Sequence, residues 1–395
     1  MLTLAGVGLC IASAWPDDSP LVPRNGGLLE GDTKWAWLYL AGEIIAFVGY
    51  IAALLLLRRF ATRLLLVGTL AVAIKLAPLG APLLISSDAW TYWSYGRIAA
   101  VHHANPYEQP PSDFPDDPAY PYIGGAWHDA TSVYGPLFTL ASEPVALTAG
   151  SSANAAAWIY KTLAALAMLG IVALTGLIAQ RKALAVALVG WNPLLALHFA
   201  GGGHNDAWMA GLVMAALALA LASRRHWAGA AWASAIFIKW IAVIFLPLRA
   251  LEARAQGRRV GHLGFAAAAL VVVVVASAQF GWHWLGAFDS LARNANKETQ
   301  FALPHRVQEL GVPHEVALGL FAAAFALAYL WLARQAWRGR ARLGLAAGFL
   351  LLASPYLVPW YAVWALPLAA SEDDPPAQWL AVAISVYLLR QRVPL

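Results

Sequence analysis

Charged residues are scarce in this sequence, and their scarcity already limits the class of protein. They make up 12% of the 395 residues, whereas hydrophobic residues make up 61%. A soluble domain carries about a quarter charged residues and is about half apolar. The composition therefore excludes a soluble domain, and the recurring apolar runs of about twenty residues predict an all-α polytopic membrane protein.

Two further absences reduce the number of possible functions. Cys10 is the only cysteine, which excludes an intrachain disulfide and redox chemistry by paired thiols. No internal repeat is visible, which argues against the repeat-built transporter folds. The formal net charge of +5 would suggest nucleic-acid binding in a soluble protein. In a membrane protein, however, basic residues mark cytoplasmic loops, so no nucleic-acid partner is predicted.

Basic residues gather in short clusters, whereas acidic residues gather in other loops. The positive-inside rule assigns these clusters to the cytoplasm: Arg58 to Arg63, Arg181-Lys182, Arg224-Arg225, Arg249 to Arg259, Arg334 to Arg342, and Arg390 with Arg392. The acidic stretch Glu372 to Asp374 and two long loops, 86–133 and 281–313, are assigned to the outer side. We predict one integral domain, residues 1–395, that crosses the plasma membrane in about 11–13 segments, the first being Met1–Ala14.

One lysine within an apolar run, Lys239, coincides with a predicted break in the backbone. Trp227–Leu248 separates two basic clusters, so it is predicted to be a broken or re-entrant pair that turns near Lys239 and leaves through Pro247. Irregular backbone at membrane depth requires protein or a water-filled cavity beside it. Lys239 itself needs an anion or must lose its proton. Lys75 and Lys161 lie nearer helix ends and are predicted to extend toward the interface.

For one apolar segment, residues 134–150, the sequence does not decide whether the chain crosses the membrane. Either 134–150 dips into the membrane and returns, or it crosses and 183–200 forms a broken hairpin bent at Asn192-Pro193. Both solutions place the following polar cluster on the outer side. Near the end of the chain, 343–369 is predicted to cross outward and 377–389 to cross inward.

Ser86-Ser87-Asp88 ends an apolar segment and opens the first long loop, which places the carboxylate of Asp88 at the rim of the membrane. The next residues are rich in aromatic rings, which favour the headgroup level. Trp90–Val101 is therefore predicted to be a helix lying in the interface. Ser and Asp are favoured helix N-caps, and spacing alone favours that structural role for Asp88. A catalytic role requires that its carboxylate also face a cavity.

Other polar and aromatic groups have both a structural and a functional interpretation. His204-Asn205-Asp206 follows three glycines; ionisable groups near a membrane usually serve a site or pathway, but a helix cap explains them as well. His305-Arg306 can place positive charge over a cavity or lie in a solvated loop. Trp360-Tyr361 can stack on sugar rings or belong to an aromatic belt. The spacing of His204 and Asp206 does not match a known metal-ligand pattern, so no metal site is predicted. Whether the protein depends on a divalent metal ion is not decided by the sequence.

Taken together, these motifs resemble the GT-C superfamily of polyprenol-phosphate-sugar-dependent glycosyltransferases, and most closely the actinobacterial mannosyltransferases that extend lipid-linked mannans. The matching residues follow the family's order: Asp88, Tyr92, Tyr95-Gly96-Arg97, Asn105-Pro106-Tyr107, Tyr134-Gly135-Pro136-Leu137, His204-Asn205-Asp206, Lys239, and Pro359-Trp360-Tyr361 with Trp364 and Pro367. The resemblance covers residues 86–367. It implies a GT-C-like bundle whose large first outer loop carries interfacial helices.

The resemblance also implies a reaction. Asp88 would deprotonate the hydroxyl of a glycan or glycolipid acceptor on the outer face, and that oxygen would displace a polyprenyl-phosphate-linked sugar, expected to be mannose, with inversion. The leaving phosphate needs cations, assigned first to Lys239 and then to Arg97, His305 and Arg306. The residues assigned to sugar or acceptor binding are Tyr92, Tyr95, Tyr134, His204, Asn205, Asp206, Trp360 and Tyr361. No cofactor is expected.

Two other functions fit the same sequence. A membrane transporter or lipid flippase is suggested by Glu43, Lys75, Glu143 and Lys239 within apolar segments, and it would require paired charges along a path. An oligosaccharide polymerase or ligase with a pyrophosphate donor would share the large outer loops. The donor headgroup distinguishes that enzyme from the transferase.

Overall fold

The computed structural model describes residues 1–294 and 297–395. Over these ranges every regular element is helical, which confirms the all-α prediction. The α-helices are α1 (Leu2–Ala14), α2 (Thr33–Arg59), α3 (Leu64–Leu76), α4 (Asp88–Ala100), α5 (Pro136–Ala149), α6 (Ala153–Ile178), α7 (Lys182–Gly190), α8 (Pro193–Ala196), α9 (Asp206–Leu221), α10 (Arg225–Ile238), α11 (Phe245–Ala255), α12 (His262–Phe280), α13 (Ala287–Asn294), α14 (Leu303–Gln308), α15 (His314–Trp337), α16 (Leu343–Ala353), α17 (Leu366–Ser371) and α18 (Pro375–Tyr387).

Helix length and composition agree with a polytopic membrane protein. Within the described ranges, α2, α6, α12 and α15 are long and apolar enough to cross a membrane, and α7 with the segment after it gives a fifth span if that bent pair is counted as one. Shorter apolar helices of 10–17 residues, such as α1 and α9, accompany them. The count of 11–13 segments stays a prediction. The predicted loop 281–313 carries α13 and α14, and its residues 295 and 296 lie outside the described ranges.

The bundle has a basic end. Arg181 donates a hydrogen bond from Nη2 to the carbonyl oxygen of Arg58 (3.0 Å), and Arg58 donates to Oε1 of Gln378 (2.6 Å). Arg342 pairs with Asp374 at 2.6 and 2.8 Å. From this end α6 runs for 26 residues, or about 39 Å, to its N-terminus beside α4. The two ends of α6 therefore separate the basic end from the end that holds Asp88.

The ambiguity around 134–150 is resolved by the position of α5. This helix packs along α4, and the carbonyl oxygen of Gly150 at its C-terminus accepts a hydrogen bond from Nη1 of Arg97 (2.6 Å). Both α5 and the start of α6 therefore lie at the Asp88 end. The chain returns from Arg181 through α7 and α8, which are bent by 57° at Asn192-Pro193. The predicted bend is confirmed, and the segment runs from the basic end to the Asp88 end instead of returning as the broken-hairpin alternative required.

The segment 343–371 is a hairpin rather than the predicted outward crossing. α16 begins at the basic end, and the chain turns through the short 3₁₀ segment Pro359–Trp364 before α17 leads back. Glu372, which follows α17, accepts hydrogen bonds from the backbone N–H groups of Leu343 (2.6 Å) and Gly344 (3.0 Å). This carboxylate satisfies donors that the first turn of α16 leaves unpaired, so both ends of the hairpin lie together.

The last helix consequently runs opposite to its predicted direction. α18 begins next to Asp374 at the basic end, and the chain after it reaches the Asp88 end, where Gln391 donates to the carbonyl of Leu357 and Arg392 lies over the ring of Trp360 (5.8 Å). The prediction placed Glu372 to Asp374 at the Asp88 end of the bundle and Arg392 at the basic end, and the structure shows the reverse. Acidic residues carry little information about side, because the rule depends on Lys and Arg.

The predicted break at Lys239 is confirmed. α10 ends there in extended backbone (φ −149°, ψ 118°), and a 3₁₀ turn, Trp240–Ile244, leads into α11, which returns toward the basic end. Gly135 packs against the end of α10, where a Cβ would lie 2.1 Å from the carbonyl oxygen of Phe237. Only glycine permits this contact, which brings the 134–136 turn to the break.

Lys75 and Lys161 do not extend to the interface as predicted. Both are about 1% exposed. Nζ of Lys75 donates to the carbonyl of Asn192 (3.0 Å), and Nζ of Lys161 donates to that of Leu79 (3.0 Å). Each amino group donates to a backbone carbonyl beside an irregular segment, and such internal partners are the condition for broken backbone inside a membrane.

α4 is enclosed by protein. Every residue from Ala89 to Ala99 is buried, and Nε1 of Trp90 donates to the carbonyl of Ala153 on α6 (2.9 Å). A Cβ on Gly96 would lie 2.3 Å from the carbonyl oxygen of Ser142 on α5. The aromatic side chains of α4 are therefore core residues, and they hold its N-terminus in a fixed position.

Candidate active site

A cavity of about 520 Å³ lies beside the N-terminus of α4, the Lys239 break and the 354–364 turn. Of the residues predicted to act, it is lined by Asp88, Tyr92, Tyr134, Lys239, Trp360 and Tyr361. Segments more than 270 residues apart in the chain thus meet around one space. The other lining residues are mainly aromatic and aliphatic, with one hydroxyl and one cation among them: Trp127, Val133, Trp240, Ile241, Val243, Ile244, Leu291, Lys297, Ser354, Pro355, Tyr356 and Trp364.

Asp88 is the first residue of α4, and its side chain does not cap the helix. Ser87 occupies the N-cap position, and Oγ of Ser86 accepts the backbone N–H of Asp88 (3.2 Å). The preceding Ile85 has φ of +62°, which is a strained conformation for a β-branched residue. Its N–H donates to the carbonyl of Leu21 (2.7 Å). The N-cap interpretation of Asp88 was therefore wrong, and the strained turn aims the carboxylate at the cavity.

The partner of Asp88 is His204. Oδ2 of Asp88 lies 3.2 Å from Nδ1 of His204, whose side chain is completely buried. The imidazole stacks on Trp360, with ring centroids 3.7 Å apart and planes inclined by 13°. Gly203 has φ of +72°, a conformation that favours glycine, and it turns the chain so that His204 points inward. The Asp88 side chain is 22% exposed, toward the cavity.

The charge state of Asp88 follows from its neighbours. Burial raises the pKa of the carboxyl, but contact with His204 and the charges of His204, Arg392 and Lys239 lower it more. The pKa therefore lies below its ordinary value, and Asp88 is ionised at neutral pH. An ionised carboxylate that faces an enclosed space is suited to accept a proton.

Lys239 is neutralised by a residue behind the cavity wall. Its Nζ lies 2.7 Å from Oδ1 of Asp206, and the same oxygen accepts Nε1–H of Trp364 at 2.7 Å. The ammonium also lies over the ring of Tyr361, 4.8 Å from its centroid. The predicted need of Lys239 for an anion is thus met within the protein, and Asp206, which is fully buried, fixes the position of the ammonium.

Other predicted residues support the walls. Tyr92 lies with its hydroxyl 3.5 Å from Oδ1 of Asn205, and its ring packs edge-on against Tyr134 (5.1 Å). Tyr95 donates its hydroxyl hydrogen to the carbonyl of Ala130 (2.8 Å) and does not line the cavity. Tyr95 and Asn205 therefore hold lining residues and the loop in place.

Three predicted phosphate ligands lie outside the cavity and already have partners. Arg97 pairs with Asp117 at 2.9 Å. The same carboxylate contacts His102 at 2.6 Å, so this pair anchors the loop that follows α4. His305 lies 3.2 Å from Glu298, and Arg306 lies 2.8 Å from Glu309. The charges of these three side chains are met by carboxylates.

Sequence reasoning missed two cations. Lys297 lines the cavity, with Nζ 4.2 Å from the ring centroid of Trp127. Arg392 lies 3.3 Å from the hydroxyl of Tyr356. Like Arg306, it does not line the first cavity but lines a second one of about 760 Å³, which shares Trp127, Lys297 and Tyr356 with the first. Among the residues that the structure describes, neither cation pairs with a carboxylate. Assigning Arg392 to the opposite side concealed it.

Comparison with known proteins places this site in a family. A family model described as alpha-(1->6)-mannopyranosyltransferase, N-terminal domain, matches residues 2–254, and a model described as MptB C-terminal domain matches residues 309–394. The chain belongs to this mannopyranosyltransferase family. The predicted kinship with actinobacterial mannosyltransferases is confirmed.

Individual relatives of the mannopyranosyltransferase family match between 42% and 78% of the chain at low identity. A probable alpha-(1->6)-mannopyranosyltransferase of Mycolicibacterium smegmatis is 26% identical over 78% of this chain and 65% of its own length. Alpha-(1->6)-mannopyranosyltransferase A of Mycobacterium tuberculosis is 29% identical over 73% of this chain and 63% of its own length. Alpha-(1->6)-mannopyranosyltransferase A of Corynebacterium glutamicum is 30% identical over 42% of this chain and 34% of its own length. The chain thus spans less than two thirds of each of these relatives. No solved structure gives a significant match.

The two mannopyranosyltransferase matches share the cavity between them. Asp88 and Lys239 fall in the first matched range, and Trp360 falls in the second. Lys297 lies in residues 255–308, which neither model matches. The carboxylate and the aromatic wall therefore lie in regions shared with the family, whereas one of the two unpaired cations does not.

Proposed function

We propose that this membrane protein transfers mannose from a polyprenyl-phosphate donor to a glycan or glycolipid acceptor, with the sugar inverted at the reacting carbon. The observation that carries the proposal is the carboxylate of Asp88, which lies 3.2 Å from Nδ1 of His204 at the wall of an aromatic cavity. Family membership supports the transfer of mannose. The resemblance to polyprenol-phosphate-dependent enzymes supports the donor.

In the proposed reaction Asp88 acts as the general base. Its free oxygen accepts the proton of an acceptor hydroxyl as that oxygen attacks the anomeric carbon of the donor. The bond from this carbon to the phosphate oxygen breaks, and its electron pair leaves with the polyprenyl phosphate. His204 does not touch the reacting atoms, because its Nδ1 faces Asp88 and its ring is covered by Trp360. It is a positioning residue.

The departing phosphate gains negative charge and therefore needs cations nearby. Lys239 already pairs with Asp206, whereas Lys297 faces the cavity without a carboxylate partner in the described ranges. Arg392 is close enough for its charge to lower the pKa of Asp88. We assign Lys297 and Arg392 to the phosphate, and the Lys239–Asp206 pair to the wall that receives the sugar.

The composition of the walls suits a sugar on an isoprenoid. Tyr361 and Trp364 stack with centroids 3.9 Å apart beside the cavity, and flat aromatic faces match the apolar faces of a sugar ring. Val243 and Leu291, which line the cavity, are 50% and 37% exposed. They provide an apolar border along which an isoprenoid chain can enter from the bilayer.

The orientation follows from charge. The arginine-rich end of the bundle lies opposite the cavity, and the positive-inside rule assigns such an end to the cytoplasm. The proposed reaction then takes place on the outer face of the plasma membrane. No nucleotide sugar is available there, which favours a lipid-linked donor.

The transporter hypothesis required paired charges along a path. Lys75 and Lys161 instead donate to backbone carbonyls at separate breaks, and Lys239 pairs with Asp206 at the cavity. These contacts explain the buried lysines without a translocation route, and no observation favours transport.

The experiment that tests the proposal is donor consumption by purified protein in liposomes. With polyprenyl-phosphate-[¹⁴C]mannose and a membrane glycolipid extract, Asp88→Asn should reduce transfer about 10²–10⁴-fold, the usual contribution of a general base. Glu108→Gln is the matched control, because Glu108 is a half-exposed carboxylate in the same loop that pairs with His283. Equal transfer by the Asn variant and wild type would refute the base. Consumption of only a pyrophosphate-linked donor would identify the polymerase or ligase instead.

A further inference from the structure

The proposed transfer reaction makes no use of a second basic depression at the other end of the bundle. It has a volume of about 590 Å³ and lies where the N-termini of α10 and α12 meet the C-terminus of α11. Four arginines line it: Arg225, Arg254, Arg258 and Arg259. α10 extends 14 residues, or about 21 Å, from this depression to Lys239, so the two sites are separate.

The arginines lack neutralising partners. No carboxylate in the described part of the chain lines the depression or forms an ion pair with Arg225, Arg254, Arg258 or Arg259. The nearest carboxylate on α11, Glu252, pairs with Arg249 and accepts the N–H of Ala341 (2.9 Å). Four guanidinium groups held together repel one another, and a phosphate group that accepts their hydrogen bonds relieves that repulsion.

Close backbone packing fixes the arrangement. A Cβ on Gly261, just before α12, would lie 1.7 Å from the carbonyl oxygen of Arg225, and one on Gly264 would lie 1.9 Å from that of His226. Only glycine allows α10 and α12 to approach so closely. The positive-inside rule explains basic residues at this end, but it does not require a depression built by backbone contact.

The border of the depression is apolar and leads to the outer surface of α12. Val260 and Leu263 line it and are 46% and 63% exposed. Farther along α12, Leu270, Val271 and Val274 are 63%, 62% and 56% exposed. Since α12 is one of the helices able to span a membrane, these side chains face lipid. A ligand here can place an anionic group among the arginines and hydrocarbon chains along α12.

We infer that this depression binds the phosphate headgroup of an anionic phospholipid, whose acyl chains lie against α12. Basic pockets between membrane helices on the cytoplasmic side are suited to such headgroups. A soluble phosphate would use the arginines but gain nothing from α12. The lipid and the free anion are therefore distinguished by the contribution of the acyl chains.

The test is binding to the purified full-length protein in detergent, measured by native mass spectrometry and by the shift of the unfolding temperature. The probes are dioleoylphosphatidylglycerol, dioleoylphosphatidylcholine and glycerol phosphate at equal concentrations. We expect the first to bind and stabilise the protein and the other two to have little effect. Arg258→Gln/Arg259→Gln should weaken phosphatidylglycerol binding by roughly 30-fold, because each arginine near an anionic headgroup contributes about a fivefold factor.

The matched control is Arg334→Gln/Arg338→Gln. These arginines are also exposed near the basic end, and their replacement removes the same charge, but they do not line the depression. Similar weakening by both double variants, or equal stabilisation by glycerol phosphate, would overturn the inference in favour of non-specific charge or a small-anion site. Selective binding of polyprenyl phosphate over phosphatidylglycerol would also overturn it. Unfolding temperatures without lipid show whether each variant is folded, and we expect both to retain donor consumption.

Discussion

Replacement of His204 by Phe tests whether the imidazole acts through Asp88. A Phe ring preserves the stacking on Trp360, whose centroid lies 3.7 Å away, but it removes the 3.2 Å contact with the carboxylate. A hydrogen bond to a charged group is worth about 1.5–3 kcal/mol, so we expect kcat/KM to fall roughly 10- to 100-fold. His204→Asn should recover part of the rate, because its amide can donate to Asp88 from a similar position.

The pH profile separates this role from a general structural one. In the wild type the contacts of Asp88 hold its pKa below the ordinary value, so activity that depends on the ionised carboxylate is lost only as the pH falls through that lowered pKa. Without His204, two of the influences that lower the pKa of Asp88 are removed, so its pKa rises relative to the wild type. The acid limb of kcat/KM should therefore move to higher pH in His204→Phe. An unchanged acid limb in a folded variant would refute the linkage between the two residues.

Two further perturbations test the remaining charges. Lys239→Met should destabilise the protein by about 3–5 kcal/mol, because it leaves the buried carboxylate of Asp206 unpaired. The double variant Lys239→Met/Asp206→Asn should recover much of the unfolding temperature measured in detergent. If the single variant has the unfolding temperature of the wild type, the pair is not structural. Lys297→Gln and Arg392→Gln should each lower kcat in the donor assay by about 10²-fold. The control is Lys34→Gln, which should leave kcat unchanged, because Lys34 is exposed and pairs with Asp18 and Asp32. A variant of Lys297 or Arg392 with the kcat of the wild type would show that this cation does not bind the phosphate.

Local sequence patterns predicted two of the charged residues that line the cavity, Asp88 and Lys239. Lys239 stood out because an ammonium in an apolar run has few physical solutions, and the structure supplies one in Asp206. Asp88 stood out because polar residues followed an apolar segment directly. The N-cap role was the wrong inference, since cap positions differ by a single residue and sequence does not resolve that difference.

The unpaired cations could not be predicted because their positions depend on the direction of whole helices. Treating Glu372 to Asp374 as outer residues reversed the last helix, whereas Glu372 caps α16 and Asp374 pairs with Arg342. That reversal moved Arg392 away from the cavity. Lys297 had no local signal, because a lysine in a polar loop is ordinarily solvated, and only the approach of Trp127 shows its place.

The proposed reaction moves one negative charge across this cavity. Before reaction, Asp88 is ionised beside His204, and a phosphodiester donor carries one negative charge. Afterwards, Asp88 holds the acceptor's proton and the polyprenyl phosphate is a monoester with about one additional charge. The total is unchanged, but the charge has passed from the carboxylate of Asp88 to the phosphate that we assign to Lys297 and Arg392. Unpaired cations at the receiving side favour that transfer without reorganisation, whereas a cation neutralised in advance, as Lys239 is by Asp206, has less to contribute.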